Sequence, residues 1–287
     1  MIKRSHIRKF LAVVEAESFT QAASRIHVTQ PTLSVGIADL ERIVGDKLFS
    51  RDKRRARLTE SGRRFLPIAR ELEANFRKAD RFSQRAGKRW PDLRIGMIRS
   101  VAGRIAQEIG RRLSQSYSIE LVDGSDAELR AQLANEQFDA IVTVLRTGDS
   151  AERSLALFTE SYAMFVADTH PLASVEAVEP EELADEVMIA RRSCEILGDT
   201  SKFFTRHGVR PNFALKSDND ERCMHMVAAS VGITTAPMSL QIEGTVPIAV
   251  KGYDFSRRIG LLLPSPAPAS GFGLEEAMAL FAGAFTD

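Results

Sequence analysis

The spacing of apolar residues changes once along this chain, close to residue 90, and that change dictates two bodies of different class. Before it, apolar positions recur three and four apart: Ile7, Phe10, Leu11, Val13 and Val14 mark a first helix over residues 2 to 16, and Leu33, Ile37, Leu40 and Val44 run down one face of another. After it come short apolar or alternating runs, "LRIGMI", "SIELVD", "FDAIVTV", "SYAMFVA", "EVMIA", "FALKS", "GITTAP", "VPIAV" and "RIGLLLP". Helical segments such as Ile105-Ile109-Leu113 and Leu129-Leu133 separate several of them. Strands alternating with helices predict an α/β fold with mostly parallel sheets, in which ligands sit at the carboxyl ends of strands.

Charge divides at the same place. Residues 1 to 90 hold 21 Lys and Arg against 10 Asp and Glu, a net of +11, which leaves 18 against 28, a net of −10, for residues 91 to 287. A polyanion such as nucleic acid is therefore expected at the N-terminal end only. The longest apolar stretch near the N-terminus, "FLAVV", is too short for a signal sequence, and no run of 18 apolar residues occurs, so a cytoplasmic protein with no membrane partner is expected. Two cysteines, Cys194 and Cys223, make neither a disulfide framework nor a zinc cluster.

Within the basic part, Ser18 stands as an N-cap before Phe19, Ala22, Ala23 and Ile26, a short second helix. Thr29 caps a third, with Pro31 in its first turn and Gly45 at its end. Two short helices joined tightly, the second opening on "TQPTLS", outline a helix-turn-helix. Side chains on that first turn must be short or hydrogen-bonding to reach base edges and phosphates in the major groove. Gln30 can pair bidentately with adenine, Thr29 and Ser34 can bind phosphate or base, and Thr32 can lay its methyl against thymine. A bland alternative makes these the capping residues of a surface helix. Next, "LFSRDKRRARL" suits a two-stranded wing bearing Arg51, Lys53, Arg54, Arg55 and Arg57, placed to lie along phosphates or enter the minor groove.

These residues carry a family resemblance. Phe10, "SFTQAA" of 18 to 23, "TQPTLS" of 29 to 34, Ile37, "LE" of 40 and 41, Gly45, "LFSR" of 48 to 51 and "LTESG" of 58 to 62 resemble the DNA-binding domain of LysR-type transcriptional regulators. The resemblance implies that Gln30, Pro31, Ser34 and Arg51 approach DNA, and Ser18 is a further DNA-binding candidate. One departure is Val35 and Gly36, where the family often has Arg and Gln; a mid-helix Gly costs about 1 kcal/mol relative to Ala.

Thr59 caps a long helix in which Phe65, Ala69, Leu72, Phe76 and Ala79 repeat at alternating spacings of four and three, the pattern of a coiled-coil seam and hence of a homodimer. The alternative is a helix packed on its own chain. Trp90-Pro91 marks its exit. Beyond it, "THPLA" at 169 to 173 and "MVAASVGITTAP" at 226 to 237 resemble the effector-binding domain of the same family, with Ser230 where the family tends to have Gly. That domain is similar to periplasmic solute-binding proteins: two α/β lobes, two crossovers and a small-molecule cleft between the lobes.

The whole is then α/β overall: a winged helix-turn-helix over 1–58, a linker helix over 59–90, and a two-lobed effector domain over 91–287. Lobe I takes 91–160 and 265–287, and lobe II takes 161–264. Strand ends place Ser100, Ser125, Thr143, Arg192 and Ser193 at the cleft, where small hydroxyls and an Arg suit a carboxylate or another anion. Each of the five can equally be an ordinary cap or a solvated group.

Rival chemistries find little support. "ASVG" around Ser230 lacks the first Gly of a nucleophile elbow, "GFGLEE" at 271 to 276 lacks the third Gly of a dinucleotide fingerprint, and Cys223-Met-His225 offers no metal spacing. No catalytic residue, metal site or cofactor is expected. Cys194, after Arg191 and Arg192 at an expected helix start, is the one alternative signal receiver: a thiol of depressed pKa that senses oxidants, or else a structural thiol. The sequence reads as a LysR-like regulator that binds promoter DNA as a dimer or, as the resemblance implies, a tetramer. An effector would shift the spacing of its DNA-binding domains and so alter promoter bending or contact with RNA polymerase.

Overall fold

The computed structural model describes residues 1–51, 56–84, 90–265, 268 and 270–285 and, of residues 51, 74, 77, 78 and 81–84, the backbone alone. The chain divides into two units, Met1–Arg89 and Trp90–Asp287.

In the first unit, α1 (Arg4–Ala16), α2 (Phe19–Arg25) and α3 (Gln30–Val44) precede a two-stranded ribbon of β1 (Phe49–Arg51) and β2 (Ala56–Leu58), and α4 (Glu60–Gln84) follows. Ile7, Phe10, Val13, Ala22, Leu33, Ile37 and Leu40, the positions that the three-and-four spacing selects, are all buried in one core. Phe10 is its centre, with its ring 5.2 Å from those of Phe49 and Phe65. Gly45 ends α3 in the left-handed region at φ 84°, where its N–H donates to Glu41 O, and Gly spares that conformation the Cβ clash. Glu41 itself is buried: its carboxylate accepts from the backbone N–H groups of Leu48 (3.0 Å) and Phe49 (3.3 Å) and from Lys47 Nζ (2.7 Å). One side chain of α3 thus holds the start of the ribbon. Thr59 caps α4, accepting from Gly62 N at 2.9 Å. A Cβ on Gly62 would run into the carbonyl oxygen of Leu48, so this close approach requires glycine.

The first half of the expected coiled-coil seam is used differently. Phe65 and Ala69 are buried in the core of their own unit, because α1 lies against the opening turns of α4, and Leu72 is partly buried there too. Phe76 and Ala79, further along, are exposed. Pro67 sits within α4, which continues through it.

The second unit begins as the alternating pattern requires. Lobe I has β3 (Asp92–Ile98), α5 (Gly103–Leu113), β4 (Ser118–Gly124), α6 (Asp126–Ala134) and β5 (Ala140–Val144), and β3 pairs in parallel with both β4 and β5. The next strand, β6 (Ser154–Ala167), runs for 14 residues. Lobe II follows with β7 (Ala177–Val178), β8 (Val187–Arg191), α7 (Leu197–Arg206), β9 (Asn212–Ser217), α8 (Asp220–Ala228), β10 (Thr234–Pro237) and β11 (Thr245–Val250). The chain returns through β12 (Ser256–Leu262) and ends in α9 (Leu274–Phe281). One sheet of eight strands, in the order β4-β3-β5-β12-β6-β11-β7 with β10 also on β6, runs through both lobes, while β8 and β9 pair separately.

Two expectations change here. The sheets are mixed, since β12 pairs antiparallel with β5 and β6, and β10 and β11 pair antiparallel with β6. A strand that leaves a lobe and another that returns must run in opposite senses where they lie side by side. The return to lobe I also comes earlier than the expected boundary after residue 264: β12 is already paired with β5 of lobe I from Ile259 to Leu262. Along β6 the period of two divides the side chains, with Tyr162, Met164 and Val166 in one core of lobe II and Phe165 in a second core that lobe I shares with α8 and β10. At the end of α8, Ser230 takes φ 57°, a conformation that explains why glycine suits this position.

Gly62→Ala is expected to lower the stability of the N-terminal unit by about 1 to 3 kcal/mol, the usual cost of forcing a methyl group into filled space. Urea unfolding followed by circular dichroism checks this, and an unchanged midpoint would show that the Leu48 carbonyl can retreat.

Candidate DNA-contacting surface and effector cavities

The first turn of α3 is built to display polar groups. Thr29 caps the helix, accepting from Thr32 N at 3.4 Å, while Leu33, Ile37 and Leu40 anchor the opposite face in the core. Thr29, Gln30, Pro31 and Thr32 are left exposed and Ser34 half-buried. In the free protein these groups satisfy one another: Thr29 and Thr32 hydroxyls lie 2.8 Å apart, and Gln30 Nε2 donates to Ser34 Oγ at 3.1 Å. Ser18 is half-buried and caps α2 by accepting from Gln21 N. The structure brings these sequence-selected residues onto one helix end and its neighbour. Arg51 lies on β1, backbone-paired with Ala56, and Arg57 on β2 is exposed; Lys53, Arg54 and Arg55 lie outside the described residues.

Sequence reasoning missed Lys9. Its Nζ reaches across from α1 and donates to Thr32 O at 3.2 Å, and its aliphatic stem occupies the space beside Gly36, where a Cβ would collide with it. The glycine that looked like a helix defect is the seat of a cation from another helix. Val35, beside it, is 63% exposed.

On α4, Arg4 of α1 pairs with Glu73 at 2.9 Å and with Asp80, and its guanidinium lies 5.4 Å from the centre of the Phe76 ring. The exposed parts of the seam thus sit beside a charged clamp that fixes α1 against α4.

Of the five residues assigned to the effector cleft, four are engaged in contacts within the protein. Ser100 is buried and committed: its hydroxyl accepts from Arg257 Nη1 at 2.9 Å, and its carbonyl accepts from Nη2 at 3.0 Å. Thr143 is fully buried and donates to Asp126, which also pairs with Arg130. Ser125 forms a reciprocal cap with Glu128 at the start of α6. In all three the hydroxyl is engaged within the protein, with Ser125 alone serving as a helix cap. Ser193 donates to Asp220 Oδ1 at 2.7 Å, and Asp220 makes a buried ion pair with Arg191. Only Arg192 is exposed, and it lines a cavity inside lobe II.

The residue that organises the space between the lobes is Arg257. From β12 it donates to Glu160 of β6 at 2.9 Å, to Glu195 in the loop after β8 and to both oxygens of Ser100 after β3. Glu160 in turn accepts from Ser239 N at 2.6 Å, just after β10. Burial pushes the Glu195 carboxyl up, but the adjacent Arg257 guanidinium outweighs it and holds the group below the ordinary glutamate range.

Two openings adjoin this region. One, of about 430 Å³, lies between the lobes and is lined by Arg99 with Asp123, Asp218, Asp220 and Glu221. Its acidity argues against an anion there. The other, of about 480 Å³, lies within lobe II between α7 and the β8-β9 pair. Cys194 lines it but is 8% exposed, and burial pushes its thiol up despite the nearby Arg191, contrary to the depressed pKa expected from the sequence. The reason is enclosure: desolvation of the thiol outweighs both Arg191 and the N–H of Ile196 at the start of α7, which favour the thiolate. Cys223 is buried as well, its thiol pushed up to about 11 by desolvation.

Stability should depend on Glu195 in a defined pH window. A carboxyl held below its unfolded value stabilises the fold above that value and loses this as pH falls through the folded one. Glu195→Gln is therefore expected to flatten the fall in stability on acidification from neutral pH to below the ordinary glutamate range. Parallel acid titrations of urea stability that match wild type would exclude this.

Comparisons with known proteins bear on both units. Residues 5–63 match the bacterial regulatory helix-turn-helix protein, lysR family, and residues 89–272 match the LysR substrate binding domain. The HTH-type transcriptional regulator BenM of Acinetobacter baylyi is 29% identical over 82% of this chain and 80% of its own. The DNA-binding transcriptional dual regulator OxyR of Escherichia coli is 28% identical over 90% and 88%. Among solved structures, CbnR, a LysR family transcriptional regulator, superposes with a TM-score of 0.62 at 16% identity over the whole of both chains. Full-length CbnR in complex with its target DNA gives 0.59 at 16% identity, over 99% of this chain and 98% of that one. At such identities these two structures speak to the fold alone.

Proposed function

Since the chain belongs to the LysR family of bacterial transcription regulators, we propose that it reads promoter DNA through the first turn of α3 and reports the binding of a small-molecule effector by its second unit. The observation that carries the DNA-reading role is the exposed set Thr29, Gln30, Pro31 and Thr32 on a helix whose other face is locked in the core. A rigidly held helix end with short hydrogen-bonding side chains fits a major groove. The pairs Gln30 to Ser34 and Thr29 to Thr32 keep these side chains ordered until base edges replace them. Ser18, Lys9, Arg51 and the wing residues Lys53, Arg54 and Arg55 take the role of phosphate contacts, which fix register without reading sequence.

The protein acts as a homodimer, with Leu72, Phe76 and Ala79 of α4 meeting a second copy while Phe65 and Ala69 stay in their own core. Effector domains pair as well, giving a tetramer; β4, at the end of the large sheet, carries Leu121 40% exposed and offers an edge for this. Effector binding shifts the spacing of paired DNA-binding units and thereby promoter bending or the contact with RNA polymerase. Acting on promoter DNA, the protein works in the cytoplasm, and no described helix is long and apolar enough to cross a membrane. It is a regulator and not an enzyme. The oxidant-sensing alternative is disfavoured by the enclosure of Cys194, which is 8% exposed and whose thiol desolvation pushes up.

Gln30→Ala is expected to weaken binding to the specific operator by about 1 to 3 kcal/mol and to spare binding to unrelated DNA. Fluorescence anisotropy with both duplexes decides this, and equal losses on the two would remove Gln30 from base reading. Arg54→Ala should flatten the slope of log affinity against log salt by about one unit if the wing holds phosphate, and an unchanged slope would count against that contact.

A further inference from the structure

The cavity of lobe II differs from the opening between the lobes in a way that selects its ligand. Four basic residues line it, Arg191, Arg192, Arg210 and Lys216, and no acidic one does among the described residues. Its walls mix hydroxyl groups, Ser201 and Thr205 among them, with apolar side chains, Phe204 and Val209 buried and Leu197 (39% exposed) and Phe213 (47% exposed) more open. Lys216 Nζ lies 4.9 Å from the centre of the Phe213 ring, which places a cation directly beside the apolar entrance.

Arg191 supplies the second observation. It is 2% exposed and among the largest fully enclosed side chains in the protein. Two of its nitrogens are used, one on Thr235 O at 3.1 Å and one on Asp220, but its Nε–H has no acceptor among the described residues. A buried donor without a partner costs about 1 to 3 kcal/mol, a cost that a ligand oxygen or a bridging water would relieve.

We infer that the lobe II cavity is a binding site for an amphipathic carboxylate, a small aliphatic or aromatic acid whose apolar body lies between α7 and the β8-β9 pair and whose carboxylate meets Arg191 and the basic rim. The size suits it, since ligand cavities run from about 300 to 1,000 Å³. The charge suits it too: the interlobe opening is lined by Asp123, Asp218 and Glu221, besides Asp220 that Arg191 already pairs, against Arg99 alone of the basic residues described. Here the effector of the proposed regulator acquires a chemical class and a place, so the inference rests on that reading of the second unit. Binding here would bear on the rest of the domain through a short path. The cavity reaches Cys194, the residue before Glu195, and Glu195 is the lobe II partner of Arg257.

The test uses the full-length protein with octanoate and benzoate as probes, and octan-1-ol and benzamide as uncharged controls, read by isothermal titration calorimetry. Ser201→Trp and Thr205→Trp place an indole on the face of α7 that lines the cavity, at positions exposed enough to leave the fold intact. Arg192→Gln with Lys216→Gln removes rim charge without touching the Arg191 pair. At least one acid is expected to bind, each Trp variant to lose binding tenfold or more, and the double Gln variant to lose it severalfold. The uncharged controls should bind at least tenfold more weakly. Failure of both acids to bind at millimolar concentration, equal binding of the alcohol or amide, or binding that survives both Trp variants would each overturn the site. Binding of wild-type protein to operator DNA is measured in the same preparation: its retention with no acid bound rejects the cavity assignment alone, whereas its loss rejects the regulator reading itself.

Discussion

Arg257 is the interaction on which the second unit depends. A guanidinium taken out of water is costly unless every face of it is answered, and here two carboxylates and both oxygens of a serine answer it. The partners come from different places along the chain: the end of the first strand of lobe I, the strand that leaves it, and the first loop of lobe II after β8. Removing any one partner leaves a buried charge short of compensation, so the arrangement of the lobes and the geometry of this cluster are the same fact. Replacing the cluster by apolar groups would be thermodynamically tolerable in general, which makes specificity of arrangement its main contribution. It also explains why Ser100 is no free ligand group: a strand end that would face the cleft is occupied by the arginine that defines it.

How much of this the sequence discloses depends on whether a signal is local. Periodicity is local, and it located the helices of the first unit, the strands of the second, and the caps at Ser18, Thr29 and Thr59. The six residues from Thr29 to Ser34 were legible for the same reason, because capping chemistry and exposure on a first turn follow from neighbours in the chain. Long-range use of a side chain is not local. Nothing near Ser100 or Thr143 announces that Arg257 or Asp126 will claim its hydroxyl. Lys9 lies 27 residues from the glycine beside which it rests. A partial signal existed for the ionic cluster: Glu160 is in phase with Tyr162, Met164 and Val166, and Arg257 with Ile259, so each places a charge at an inward position of a strand. Charged residues at such positions require a buried partner, even when the sequence does not say which.

The thiol at position 194 shows the same limit from another side. Two arginines before it suggested an electropositive site, and one of them is indeed close. Yet Arg191 is already committed to Asp220, and the cysteine is enclosed, so desolvation prevails over attraction. A count of neighbouring charges in sequence says nothing about which of them are already neutralised.

The placement of Phe65 and Ala69 has a consequence for how the protein is made. Among the described residues, every side chain of the N-terminal core comes from the first seventy or so, because the opening turns of α4 close over Phe10 instead of waiting for a second chain. The DNA-binding unit therefore has all it needs to fold while the ribosome is still synthesising the strands that follow Trp90. Pairing of subunits then joins finished domains, and a nascent regulator never has to expose the interior of its DNA-reading end while it awaits its twin.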